Sequence, residues 1–154
     1  MADWKRKTTE LSLDELPPDI AAAVQRHVEQ YNLGPILSDA LLCVLTDSEK
    51  RKRGLFGKAE TVKMAAVVTP RWLVWVVHQP GSKPSVLSAQ LIQVTVQDYA
   101  QTPFAKMVPD SGVEVSGVFT DASEAASAFL GLEENATGQK FRQTLIRAAA
   151  DAKK

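Results

Sequence analysis

The stretch from Arg71 to Gln79 constrains the possible fold more than any other part of the chain. It is rich in aromatic and β-branched residues, which favour a strand. Because side chains alternate across a strand, three apolar residues lie on each face: Trp72, Val74 and Val76 on one, Leu73, Trp75 and Val77 on the other. A strand with one face in water alternates apolar and polar residues. The sequence therefore predicts a strand covered on both faces, either by a helix or by a second subunit.

The N-terminal region offers that helix. Pro17-Pro18-Asp19 is typical of a helix start, and Gly34-Pro35 of a helix end. Between them an apolar stripe recurs at helical spacing, on Ile20, Val24 and Val28. Residues 1–16 mix polar and apolar types and are predicted to be loosely attached. Residues 1–34 are thus expected to be an N-terminal segment with an amphipathic helix, added to a domain over residues 35–154.

After Pro35 the apolar period changes from that of a helix to that of strands. Strands are predicted over about residues 39–46, 60–69, 71–79, two within 85–99, 104–108 and 112–119. Residues 123–130 fit either a strand or a helix. Residues 136–152 form an amphipathic helix that places Phe141, Leu145 and Ala149 on one face. The expected class is mainly β (α+β), with a strongly bent antiparallel sheet closed by the C-terminal helix.

Two stretches carry a family resemblance. Ala66-Val67-Val68-Thr69-Pro70-Arg71-Trp72-Leu73-Val74 resembles the strand, Thr-x-Arg, strand signature of bacterial pleckstrin-homology-like (PH-like) domains. Leu91-Ile92-Gln93-Val94-Thr95-Val96 is similar to a later strand of that family. The resemblance covers about residues 39–150. It implies a seven-stranded sheet or barrel with a C-terminal capping helix, and a binding or assembly role without catalysis.

Charge is balanced over the whole chain and segregated locally. Eighteen basic residues match eighteen acidic ones among 154 residues, so no global field favours nucleic acid. Residues 49–63, however, hold six basic and two acidic residues, a net charge of +4. This segment reads as a hairpin loop with an apolar tip between two glycines. Its candidate interaction residues are Lys50, Arg51, Lys52, Arg53, Leu55, Phe56 and Lys58.

The basic loop has three interpretations. It is a solvated tip without a ligand, a contact for a protein partner, or an attachment to an anionic membrane surface. It departs from the phosphoinositide motif of the wider PH superfamily, because the first strand has no lysine and Glu60 stands where that motif has an arginine. A protein partner or self-association is the preferred role of the chain. Membrane attachment is the first alternative, and a small barrel that binds an apolar molecule is the second.

The cysteine, the two histidines and the glycine-containing segment are predicted to have structural roles and no catalytic or ligand-binding role. Cys43 has apolar neighbours and is expected in the core. His27 and His78 lack the further ligands that a zinc site needs, so no metal and no cofactor are expected. Gly54-Leu55-Phe56-Gly57-Lys58-Ala59 lacks the spacing and the Ser or Thr of a phosphate loop. We therefore expect a protein that is not an enzyme. A single cysteine fits the cytoplasm, at the inner face of the membrane if the loop binds lipid.

Overall fold

The structure is a computed structural model that describes residues 4–50 and 60–154. Within these ranges two helices accompany eight strands, which form two antiparallel sheets. The strands are β1 (Trp4–Leu11), β2 (Leu42–Lys50), β3 (Glu60–Val68), β4 (Trp72–His78), β5 (Ser85–Gln90), β6 (Val94–Asp98), β7 (Gly112–Gly117) and β8 (Ala126–Gly131). The helices are α1 (Pro18–Gln30) and α2 (Ala136–Ala152). The class is therefore α+β, with antiparallel sheets as its main component.

The first five strands form one sheet in chain order, β1-β2-β3-β4-β5, and the last three form another, β6-β7-β8. Each paired strand follows its neighbour directly in the chain, and the longest connection, between β1 and β2, contains α1. In the first sheet Val44 of β2 lies opposite Ala66 of β3, which lies opposite Trp75 of β4. This register places the apolar residues of the three central strands in continuous rows on both faces of the sheet.

Those two faces belong to two separate apolar clusters. The inner cluster lies between the sheets and α2, and includes Trp75, Phe141 and Leu145, none more than 2% exposed. The outer cluster holds Val74 and Val76 of β4 together with the apolar stripe of α1. The prediction that β4 is covered on both faces is confirmed, and α1 is the cover on the outer face.

The two sheets approach each other where β1 passes β8, through side-chain contacts. The hydroxyl of Thr8 accepts a hydrogen bond from the Glu133 amide at 2.8 Å, and the Glu133 carboxylate accepts one from the Thr8 amide at 2.9 Å. Next to this pair, the guanidinium of Arg6 lies so close to Gly131 that a Cβ at position 131 would collide with it. A side chain at position 131 would therefore displace the Arg6 guanidinium from its present position.

Two sequence-based predictions are wrong. Residues 1–16 were expected to be loosely attached, but of these the described residues 4–11 pair along their whole length with β2. The sequence of β1 shows no alternation of apolar and polar residues, because the side chains that face inward, Arg6 and Thr8, are polar. Residues 104–108 are not a strand: Pro103–Lys106 is a 3-10 turn, enclosed by prolines at 103 and 109 that disfavour a strand ladder.

The other elements follow the prediction with shifted ends. β2 extends to Lys50, four residues beyond the expected end at Thr46. Residues 123–130 were predicted as either a strand or a helix, and the structure shows a strand over residues 126–131. α2 has the predicted bounds, and its Phe141 and Leu145 are completely buried. The division between residues 1–34 and 35–154 stays a prediction, although β1 shares a sheet with β2.

Candidate interaction surface at the hairpin end

The predicted basic loop lies in the connection between β2 and β3, whose facing ends are at one end of the five-stranded sheet. At this end, called the hairpin end below, Lys50 at the end of β2 lies opposite Glu60 at the start of β3. Trp4 of β1 is the other neighbour of Lys50. Of the seven candidate interaction residues, Lys50 is half-buried at the end of β2. The other six lie outside the described residues: Arg51, Lys52, Arg53, Leu55, Phe56 and Lys58.

Arg6 connects the hairpin end to the segment between β6 and β7. Its Nε and Nη2 donate to the two carboxylate oxygens of Asp110 at 2.8 and 2.5 Å. Its Nη1 donates to the Ser48 hydroxyl at 2.7 Å, and its guanidinium lies about 5 Å from the ring centres of Trp4 and Phe129. A bidentate arginine–carboxylate pair fixes the relative orientation of the two side chains in addition to stabilising their contact. Arg6 therefore holds Asp110 beside the C-terminal end of β2.

Just before Asp110 the chain presents an apolar loop, residues 103–108. Phe104 is 62% exposed, Met107 81% and Val108 61%. Eight large apolar side chains are exposed in the described part of the chain, and these three fall within five consecutive positions. Singly scattered exposed apolar residues need no explanation, whereas three within one short loop make that loop a candidate interaction surface.

The apolar loop is anchored from beneath. The buried Tyr99 donates its hydroxyl to the Val108 carbonyl at 2.6 Å, and its ring packs against Phe129 at 4.9 Å between centres. The Thr102 hydroxyl donates to the Tyr99 carbonyl at 2.7 Å. The amide of Met107 donates to the carbonyl of Phe104 at 3.0 Å. The three exposed side chains therefore stand on a backbone with fixed hydrogen bonds.

A cleft of about 880 Å³ lies on the same end of the sheet. Among its described lining residues the basic and acidic side chains balance, four against four: Lys5, Arg6, Lys7 and Lys63 against Asp19, Asp47, Glu49 and Glu133. Arg6 is already paired with Asp110. A lining of both signs selects neither an anion nor an apolar molecule, so the cleft does not define a ligand.

The Ser–His pair in the structure is a packing contact. His27 of α1 lies 2.8 Å from the hydroxyl of Ser88, which donates to the Thr120 hydroxyl at 2.6 Å. Ser88 is completely buried, so no substrate reaches its oxygen. Burial lowers the pKa of His27 below its ordinary value. The chain of hydrogen bonds ties α1 to β5 and to the segment after β7.

Cys43 and His78 also have structural surroundings. The Cys43 thiol is buried, and its burial raises its pKa to about 11. This is the opposite of what a reactive thiolate requires. His78 lies at the hairpin end, with Nδ1 3.4 Å from the Asp19 carboxylate and Nε2 3.0 Å from the Ser82 carbonyl. Both contacts connect the start of α1 and the β4–β5 turn to the sheet.

Arg142 of α2 is a buried polar residue that the sequence reasoning did not single out. It is 5% exposed, and its Nε and Nη2 have no hydrogen-bond partner among the described residues. Such an unpaired buried group lowers stability. The helical pattern offered no signal for it, because an arginine at the border of an amphipathic face usually extends to solvent.

Residues 4–50 and 60–154 contain neither a candidate metal site nor a candidate membrane-spanning helix. No group of three His, Cys, Asp or Glu side chains there could hold a metal ion. Neither helix in those ranges has the length and apolar character to cross a bilayer. Comparison with known proteins finds no matching family model, no matching curated protein and no matching solved structure.

The basic loop as an interaction surface stays a prediction, and the sequence-based interpretation did not include the apolar loop beside it. It pointed to the hairpin through its charge. It missed Phe104, Met107 and Val108, because a short apolar run was interpreted as a strand. The signal that could have found them is the pair of prolines at 103 and 109, which leaves too few residues for a paired strand and implies an outward turn.

Proposed function

We propose that the chain is a non-catalytic PH-like binding module. The order of its elements supports this: β2 to β8 supply seven antiparallel strands, and α2 follows them directly. The buried Phe141 and Leu145 pack this helix between the two sheets, the position that the resemblance implies for a capping helix. β1 and α1 are additions before that core.

The observation that carries a binding role is the apolar loop at the hairpin end. Exposure of three large apolar side chains to water is unfavourable, and a binding partner that covers them removes this cost. They stand on a backbone held by Tyr99, so they are presented in a defined arrangement. We therefore place the binding surface at the hairpin end, formed by the apolar loop beside the base of the basic hairpin.

Two partner classes fit a surface of this kind: another protein, including a second copy of the chain, and an anionic membrane. The third role raised by the sequence, binding of an apolar molecule inside a small barrel, receives less support. The space between the sheets is filled by large side chains such as Trp75, Leu130 and Phe141.

A photo-crosslinking experiment tests the position of the binding surface. A photoreactive amino acid replaces Met107 in one variant and Leu41 in another, and each is illuminated in an unfractionated lysate of the source organism. Leu41 is 53% exposed and precedes β2, at the opposite end of the sheet. We expect defined adducts, to protein or to lipid, at position 107 alone. Adducts that are equal at both positions, or absent from both, contradict the proposal.

A further inference from the structure

We draw no further inference here: the strongest candidate, the apolar loop of residues 103–108 at the hairpin end, belongs to the binding surface already described, and nothing in residues 4–50 and 60–154 shows what covers it.

Discussion

Replacement of Phe141 by alanine tests the closure of the fold by α2. The ring is completely buried in the inner cluster, between side chains of both sheets. Truncation to alanine removes the favourable free energy of transferring the ring from water to the core. It also leaves a cavity that the sheets cannot fill, because α2 is in contact with β1, β2, β6 and β7 at once. Substitutions of this kind cost about 3–5 kcal/mol. The total free energy of unfolding of a domain of this size is about 5–15 kcal/mol, so the variant should unfold at a clearly lower urea concentration.

Urea unfolding followed by circular dichroism measures the effect, and a neighbouring residue on the same helix supplies the control. Ile146 is 41% exposed, so Ile146→Ala should cost less than about 1 kcal/mol. The slope of the transition should be the same for both variants if the unfolded states are alike. If Phe141→Ala also loses less than about 1 kcal/mol, the helix does not close the core and the packing argument fails.

Three further predictions concern buried groups. Arg142→Met should raise the free energy of unfolding by about 1–3 kcal/mol in urea melts, because it removes the unpaired nitrogens; a loss of stability would mean that the guanidinium has a partner in solution. Burial lowers the pKa of His27 in the folded state, so below about pH 6.5 the unfolded chain takes up the proton first. Stability should therefore fall between about pH 7 and pH 5, by less in His27→Gln than in wild type; equal pH profiles refute this. Cys43 should react with a thiol reagent only at the rate of unfolding, since it is buried and its pKa is raised to about 11; fast reaction of the native protein contradicts its position.

The elements that the sequence predicts well are those whose own pattern determines their burial. β4 is apolar on both faces, so its burial on both follows from its own residues, whereas the structure decides that α1 rather than a second subunit is the outer cover. α2 carries a stripe from Phe141 to Ala149 and is bounded by Asn135, whose side chain accepts from the Gly138 amide at 2.8 Å. Local periodicity and capping decide both elements, and neither depends on a distant partner.

β1 shows why the rest could not be predicted. Its inward side chains Arg6 and Thr8 are polar, and they are satisfied by residues far away in the chain, Asp110 and Glu133. A strand stabilised by partners more than 100 positions distant has no local apolar signature. The apolar loop is the opposite case. Its residues have the composition of a strand, but the prolines and the support from Tyr99 turn them outward.

The most direct test of the account is an environment-sensitive fluorophore on the apolar loop. Met107→Cys can be labelled selectively, because the native Cys43 is buried and its pKa is raised to about 11. Asp39→Cys, exposed before β2 at the opposite end, is the matched control. When a lysate of the source organism that contains its proteins and its membranes is added at low salt, the label at 107 should shift to shorter wavelength and become protected from an aqueous quencher, while the label at 39 stays unchanged. If the spectrum at 107 does not move, or if both labels shift equally, the apolar loop is not the binding surface.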